Sequence, residues 1–119
     1  MTIKKSTTLG QVQISDDAVA TLTGSAVVEC YGVVGMTSQK LIKDGINELL
    51  KKENYSKGVI VRNVSGGIEI DLYVVIGYSV KVTEVINEIQ KRVKYTLEKT
   101  LDMDVLAVNV YVQGIKVIK

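Results

Sequence analysis

Histidine is absent from this 119-residue sequence, and cysteine occurs once, as Cys30. Without an imidazole there is no Ser-His-Asp triad, no Cys-His dyad and no histidine-bound metal. A lone cysteine makes no internal disulfide, so the framework of small secreted domains is missing and a reducing, cytoplasmic compartment is the natural reading. Nothing in the sequence supplies Cys30 with a base to hold a thiolate, so it reads as a small buried hydrophobe. Long apolar runs are missing as well. An uncharged stretch such as Leu72 to Val80 falls far short of the roughly 20 residues that a bilayer crossing needs. The first residues, Met1-Thr2-Ile3-Lys4-Lys5-Ser6, contain two lysines but no apolar core follows them, so no signal peptide is expected. Neither a phosphate-binding loop ending in Gly-Lys-Ser/Thr nor a Gly-x-Gly-x-x-Gly after a strand is present, which leaves a nucleotide without a cradle. No cofactor and no metal are expected, and a net charge of +2 is too small to name an anionic partner.

What is present suits one globular domain spanning 1–119, with an ordered core of about 9–115: 46% of residues are hydrophobic and 24% charged. A short run from Leu9 to Ile14 is followed by Ser15 as a helix N-cap, with Asp16 and Asp17 at the positive end of the helix dipole. That helix is expected to reach about Tyr31, to bury the stripe Ala18, Leu22, Ala26 and Cys30, and to stop at Gly32. Val33 to Thr37 reads as a short strand, and a second helix is expected from Gln39 to Glu53. From Val59 the period becomes two, the mark of half-buried strands. Val59 and Val61 lead into a hairpin turn in which Gly66-Gly67 supplies positive backbone angles. On the return strand Ile68, Ile70, Leu72, Val74 and Ile76 share one face, and Glu69, Asp71 and Tyr73 the other. A long helix then runs from Ser79 or Thr83 to about Leu101 on the stripe Val82, Val85, Ile86, Ile89, Val93 and Leu97. A last strand, Val105 to Val112, points Leu106, Val108, Val110 and Val112 inward. The order β-α-β-α-β-β-α-β predicts a two-layer α/β fold, a small mixed sheet with helices on one face.

Three features could carry function. Glu69 and Asp71, two apart on a strand, project from one face at a spacing that suits acid/base work or a hard cation; two acids on an outer strand face also serve as solvation and edge protection, and that is their expected role. Gly32-Val33-Val34-Gly35 has the Gly-x-x-Gly form with which KH domains clamp a nucleic-acid backbone. Yet no lysine or arginine occurs from Ser6 to Gln39, so little there would attract phosphate, and no nucleic-acid partner is expected. That charge-poor stretch is the third feature. Val27 and Val28 fall off the expected stripe and widen the apolar face, which needs a cover: the chain's own second helix or another subunit. An association surface is therefore expected around Val27, Val28, Tyr31, Val33 and Val34, with the outer sheet face near Tyr73 and Tyr111 as the alternative.

Four blocks in order, Gly10-Gln11-Val12-Gln13-Ile14-Ser15, Glu29-Cys30-Tyr31-Gly32-Val33-Val34-Gly35-Met36, Ile70-Asp71-Leu72-Tyr73-Val74-Val75 and Val108-Asn109-Val110-Tyr111-Val112-Gln113-Gly114, resemble the alkaline shock protein (Gls24) family of Gram-positive envelope-stress proteins, in its short form. The resemblance implies a cytoplasmic protein of cell-envelope homeostasis, not an enzyme, prone to form homo-oligomers and in some members held near the membrane by a separate membrane-anchored protein. It supplies no active-site residues. Members commonly have a glycine where this chain has Ser79 after Tyr78, and a Thr-Gly where it has Thr100-Leu101-Asp102. The expected function is envelope homeostasis through protein contacts, the alternatives being a KH-like RNA-binding module and an accessory regulator of lipid metabolism.

Overall fold

The computed structural model describes residues 2–40 and 49–116. Along these lie β1 (Thr2–Thr7), β2 (Gly10–Ser15), α1 (Asp16–Val28), β3 (Val33–Met36), a 3₁₀ segment (Lys52–Gly58), β4 (Val59–Val64), β5 (Gly67–Gly77), α2 (Val82–Leu101) and β6 (Val105–Lys116). The class is the expected mixed α/β one. β1 pairs with β2 in a two-stranded antiparallel sheet that the sequence reading did not contain. Leu9 at its tip is almost wholly exposed. The expected helix from Gln39 to Glu53 falls largely on residues 41–48, outside the described residues. Its end differs from expectation: Lys51 is extended and the 3₁₀ segment starts at Lys52, while the Leu50 amide donates to the Met36 carbonyl at 2.8 Å.

β5 is the centre of the main sheet. Along one edge it pairs antiparallel with β4, from Val59 opposite Leu72 to Val64 opposite Gly67, and then with β3, where Met36 meets Val74. Along the other edge β6 runs parallel, a pairing that the crossover helix α2 makes possible. Ile68, Ile70, Leu72, Val74 and Ile76 all turn to one face and are buried beneath both helices. Each such side chain contributes about 1.5–3 kcal/mol relative to exposure. From α2 the side chains of Val85, Ile89, Val93 and Leu97 complete this core, as their spacing predicts.

α1 starts as expected, with Ser15 Oγ accepting from the Ala18 amide at 3.1 Å. Its buried face follows the expected stripe only in part: Ala26 and Cys30 are buried as expected, but the face is wider. Ala18 is exposed and Leu22 half-buried, whereas Val19, Ala20, Thr23, Gly24, Ala26 and Val27 are inside. The helix is covered from several sides, and the 3₁₀ segment comes so close that a Cβ on Gly24 would stand 3.0 Å from Tyr55 Cβ. Thr23 tolerates burial because its hydroxyl donates to the Val19 carbonyl at 2.8 Å. The helix ends at Val28 rather than near Tyr31. Gly32 then takes a φ of 93°, and a side chain there would strike Val85.

Two further corrections concern turns and bulges. Of Gly66-Gly67 only Gly66 has a positive φ, 95°, at the second position of the Ser65-Gly66 loop, as in a type II turn. Gly67 is needed for another reason: a Cβ on it would collide with the carbonyl oxygen of Asp104. In β6 the register shifts so that Ile68 faces Val105 and Glu69 faces Ala107, which leaves Leu106 as the extra residue of a bulge. Leu106 is therefore 53% exposed and Val105 takes the inward place.

Candidate interaction surface

The face of the main sheet opposite the helices carries the side chains between the core positions: Ile60 and Arg62 on β4, Glu69, Asp71, Tyr73 and Val75 on β5, Asn109 and Tyr111 on β6. The turn sets who meets whom. Because Val64 faces Gly67 across the hairpin, Arg62 must face Glu69, and its guanidinium reaches both Glu69 Oε2 and Asp71 Oδ1 at 3.0 Å. Asn109, brought alongside by the parallel register with Asp71, donates to the same Asp71 oxygen at 2.9 Å. Asp71's hydrogen bond and charge raise the Arg62 pKa above its ordinary value, so this cation is permanent. Next along the sheet Tyr73 and Tyr111 stand opposite each other and stack, with centroids 5.1 Å apart and planes 17° from parallel. Partial burial, with Asp71 close by, raises the Tyr73 pKa, so the phenol stays protonated.

The two acids that looked available for chemistry are thus clamped by one guanidinium. General acid/base work requires a proton acceptor free to approach a substrate, and both carboxylates already serve an ion pair. Among the described residues, no cluster of three or more histidine, cysteine, aspartate or glutamate side chains is placed to hold a metal ion. Arg62 and Asn109 were not singled out from sequence. Arg62 was within reach, since hairpin register follows from turn length; Asn109 was not, since its register depends on the long crossover through α2.

The expected association residues are dispersed by the fold. Val27 is fully buried in the core and Val28 and Val33 pack half-buried against it. Val34 is half-buried and Tyr31 is 84% exposed. Gly32-Val33-Val34-Gly35 is not an open clamp, because Val33 to Met36 form β3 and Gly35 faces Val75. Beside Tyr31 lies an open cleft of about 350 Å³, walled by Val80, Lys81, Glu84 and Glu88. Cys30 is buried, with Sγ 3.6 Å from the Ala26 carbonyl oxygen, and burial raises its pKa even though Arg92 pulls the other way. That keeps the thiol neutral and unreactive at neutral pH. No helix among the described residues is long and apolar enough to cross a membrane.

The protein-family model of the alkaline shock proteins, described by a "cell envelope-related function", matches residues 4–117. The chain is 46% identical over 117 residues to the uncharacterized protein YloU of Bacillus subtilis, covering 98% of each. With the uncharacterized protein Spy1614 of Streptococcus pyogenes it shares 49% identity over 118 residues, covering 99% of this chain and 98% of the relative. With YqhY, also of Bacillus subtilis and uncharacterized, it shares 30% over 110 residues, covering 92% and 80% respectively. No solved structure matches the chain significantly.

Proposed function

Since the chain belongs to the alkaline shock protein family, whose described function is related to the cell envelope, we propose that it serves envelope homeostasis without catalysis, by contact with copies of itself and with a membrane-anchored partner. Its place would be the cytoplasm, at the inner face of the membrane. The observation that carries this reading is the outer sheet face, where Arg62, Tyr73 and Tyr111 stand ordered on rigid strands with no helix over them among the described residues. Tyrosine and arginine dominate binding hot spots, because each brings a large, stiff contact area with a polar end. Here the stack and the double ion pair have already ordered these side chains, which lowers the entropy cost of docking. The exposed Tyr31, with the half-buried Val28, Val33 and Val34 near it in sequence, forms a secondary contact. Val27 lies in the core and takes no part.

The test replaces Tyr111, which is 43% exposed, with aspartate in the cells that make the protein. A carboxylate at a docked aromatic position would be desolvated without a partner. The Tyr111→Asp variant should keep the wild-type circular dichroism, fail to complement a deletion under envelope stress, and no longer bring down the membrane protein that wild type retains. A folded Tyr111→Asp variant that complements fully would remove the outer face from the reading.

A further inference from the structure

β6 offers an edge that no described strand pairs, although side chains of α2 reach two of its backbone groups, Gln90 Nε2 at the Val108 carbonyl and Glu98 Oε2 at the Val105 amide. Its inner edge follows β5 along the whole strand, and no described strand lies on the other side. The edges at the opposite side of the sheet are guarded in the usual ways: β3 has four residues and a bulge, and β4 has six and carries Arg62. β6 has twelve residues, and from Val105 to Ile115 there is no charge and no proline. It carries one residue more than β5 at Leu106 and at Gln113, and between these bulges Ala107 to Val112 is regular. Unpaired backbone groups on such a run call for a partner backbone. The Val108 carbonyl accepts from Gln90 Nε2 of α2 at 3.0 Å, so a pairing strand must share or displace this bond.

We propose that this edge pairs antiparallel with β6 of a second copy, about a two-fold axis at Val110, joining two sheets into one. The inference rests on the self-association proposed above and names its surface. An axis perpendicular to the sheet keeps facing residues on the same side. Val108 then meets Val112 and Val110 meets itself on the helix side, while Asn109 meets Tyr111 on the outer face. Two exposed charges, Asp104 just before the strand and Lys116 at its last position, are equally far in sequence from Val110. The same register therefore lays each Asp104 opposite the partner's Lys116, at both ends of the junction. Moving the axis to Tyr111 would place Lys116 opposite Leu106. Moving it to Asn109 would place Lys116 opposite Asp102, which caps α2 in the left-handed conformation, three residues before the strand begins.

The test uses the full chain in a Cys30→Ala background. Facing residues of an antiparallel pair lie about 4.5–5.5 Å apart at Cα, within the span of a disulfide. Val110→Cys should therefore form a covalent dimer on mild oxidation, and Val108→Cys, whose facing residue is Val112, should not. In sedimentation equilibrium, Asp104→Lys and Lys116→Asp should each weaken dimerisation about tenfold, and the double variant should restore it. Both sites are exposed, so folding is not at stake. If wild type associates but Val110→Cys cross-links no better than Val108→Cys, or the double variant is not restored, the β6 junction is wrong and self-association stands on another surface. Wild type that stays monomeric at about millimolar concentration overturns both.

Discussion

Replacing Gly66 and Gly67 separately by alanine should separate two reasons for glycine that stand side by side in one turn. At Gly66 the backbone is left-handed, and a Cβ would find no atom nearer than Leu106 Cδ1 at 4.0 Å. Only the conformational penalty applies there, about 1–2 kcal/mol, and asparagine, which tolerates this region, should recover roughly half of it. At Gly67 the backbone conformation suits any residue, but the new Cβ meets the Asp104 carbonyl oxygen and stands 3.1 Å from both Asp104 C and Leu106 Cγ. That oxygen accepts the Ile68 amide at 2.9 Å, so it cannot retreat without losing the bond that starts the β5–β6 junction. Overpacking of about 1–3 kcal/mol and a hydrogen bond of about 0.5–1.5 kcal/mol sum to roughly 2–4 kcal/mol, less a few tenths for the stiffer unfolded chain. Urea unfolding followed by far-UV circular dichroism measures both. With a slope of about 1–3 kcal/mol per molar urea, Gly67→Ala should lower the midpoint by roughly 1–2 M and Gly66→Ala by about half as much. A Gly67→Ala variant no less stable than Gly66→Ala, or one rescued by asparagine, would refute the close approach to Asp104.

Gly32→Ala combines the two effects, a φ of 93° and a Cβ 2.8 Å from Val85 Cγ2, and should cost more than about 2 kcal/mol in the same assay. Cys30 should ignore a thiol reagent until the chain unfolds. Since its folded pKa lies above the ordinary 9.0, its contribution to stability is complete below about pH 9 and is lost as pH rises through the folded value; Cys30→Ala should flatten the alkaline limb of a stability-pH curve. Lysine at Leu106 should change stability by less than about 0.5 kcal/mol, whereas lysine at Val105 should cost more than about 3 kcal/mol, with thermal unfolding as the readout.

The parts of this fold that could be read from sequence are those with one wet side. β5 alternates without a break and α2 repeats every three or four residues, because each faces the core on one side and water on the other. α1 misled for the opposite reason. With the sheet, α2 and Tyr55 around it, its buried arc is too wide for a stripe to mark, and Thr23 enters the core by satisfying its own hydroxyl. Leu106 misled because a bulge belongs to the pairing of two strands, and the alternation of one strand cannot announce it. β1 has little apolar pattern of its own and is extended because β2 pairs with it. On the outer face, the spacing of Glu69 and Asp71 was visible and Arg62 follows from the hairpin register, whereas Asn109 is set by the long crossover. Knowing that Arg62 and Asn109 close on them turns an apparent acid pair into one corner of an ordered, ion-paired network.

The position of β5 has a consequence for how the molecule forms and fails. The β4–β5 hairpin is the one local pairing of the main sheet among the described residues, so it can close early, within microseconds for an isolated hairpin. β3 and β6 must then be recruited from far along the chain, β6 only after α2 has turned the chain back on itself. A half-built β5 would have vacant edges and an uncovered row of isoleucines, leucine and valine. Anything that loosens it takes β3, β4 and β6 with it. The main sheet should therefore open as one cooperative unit in hydrogen exchange, while the β1–β2 arm opens by itself far more often.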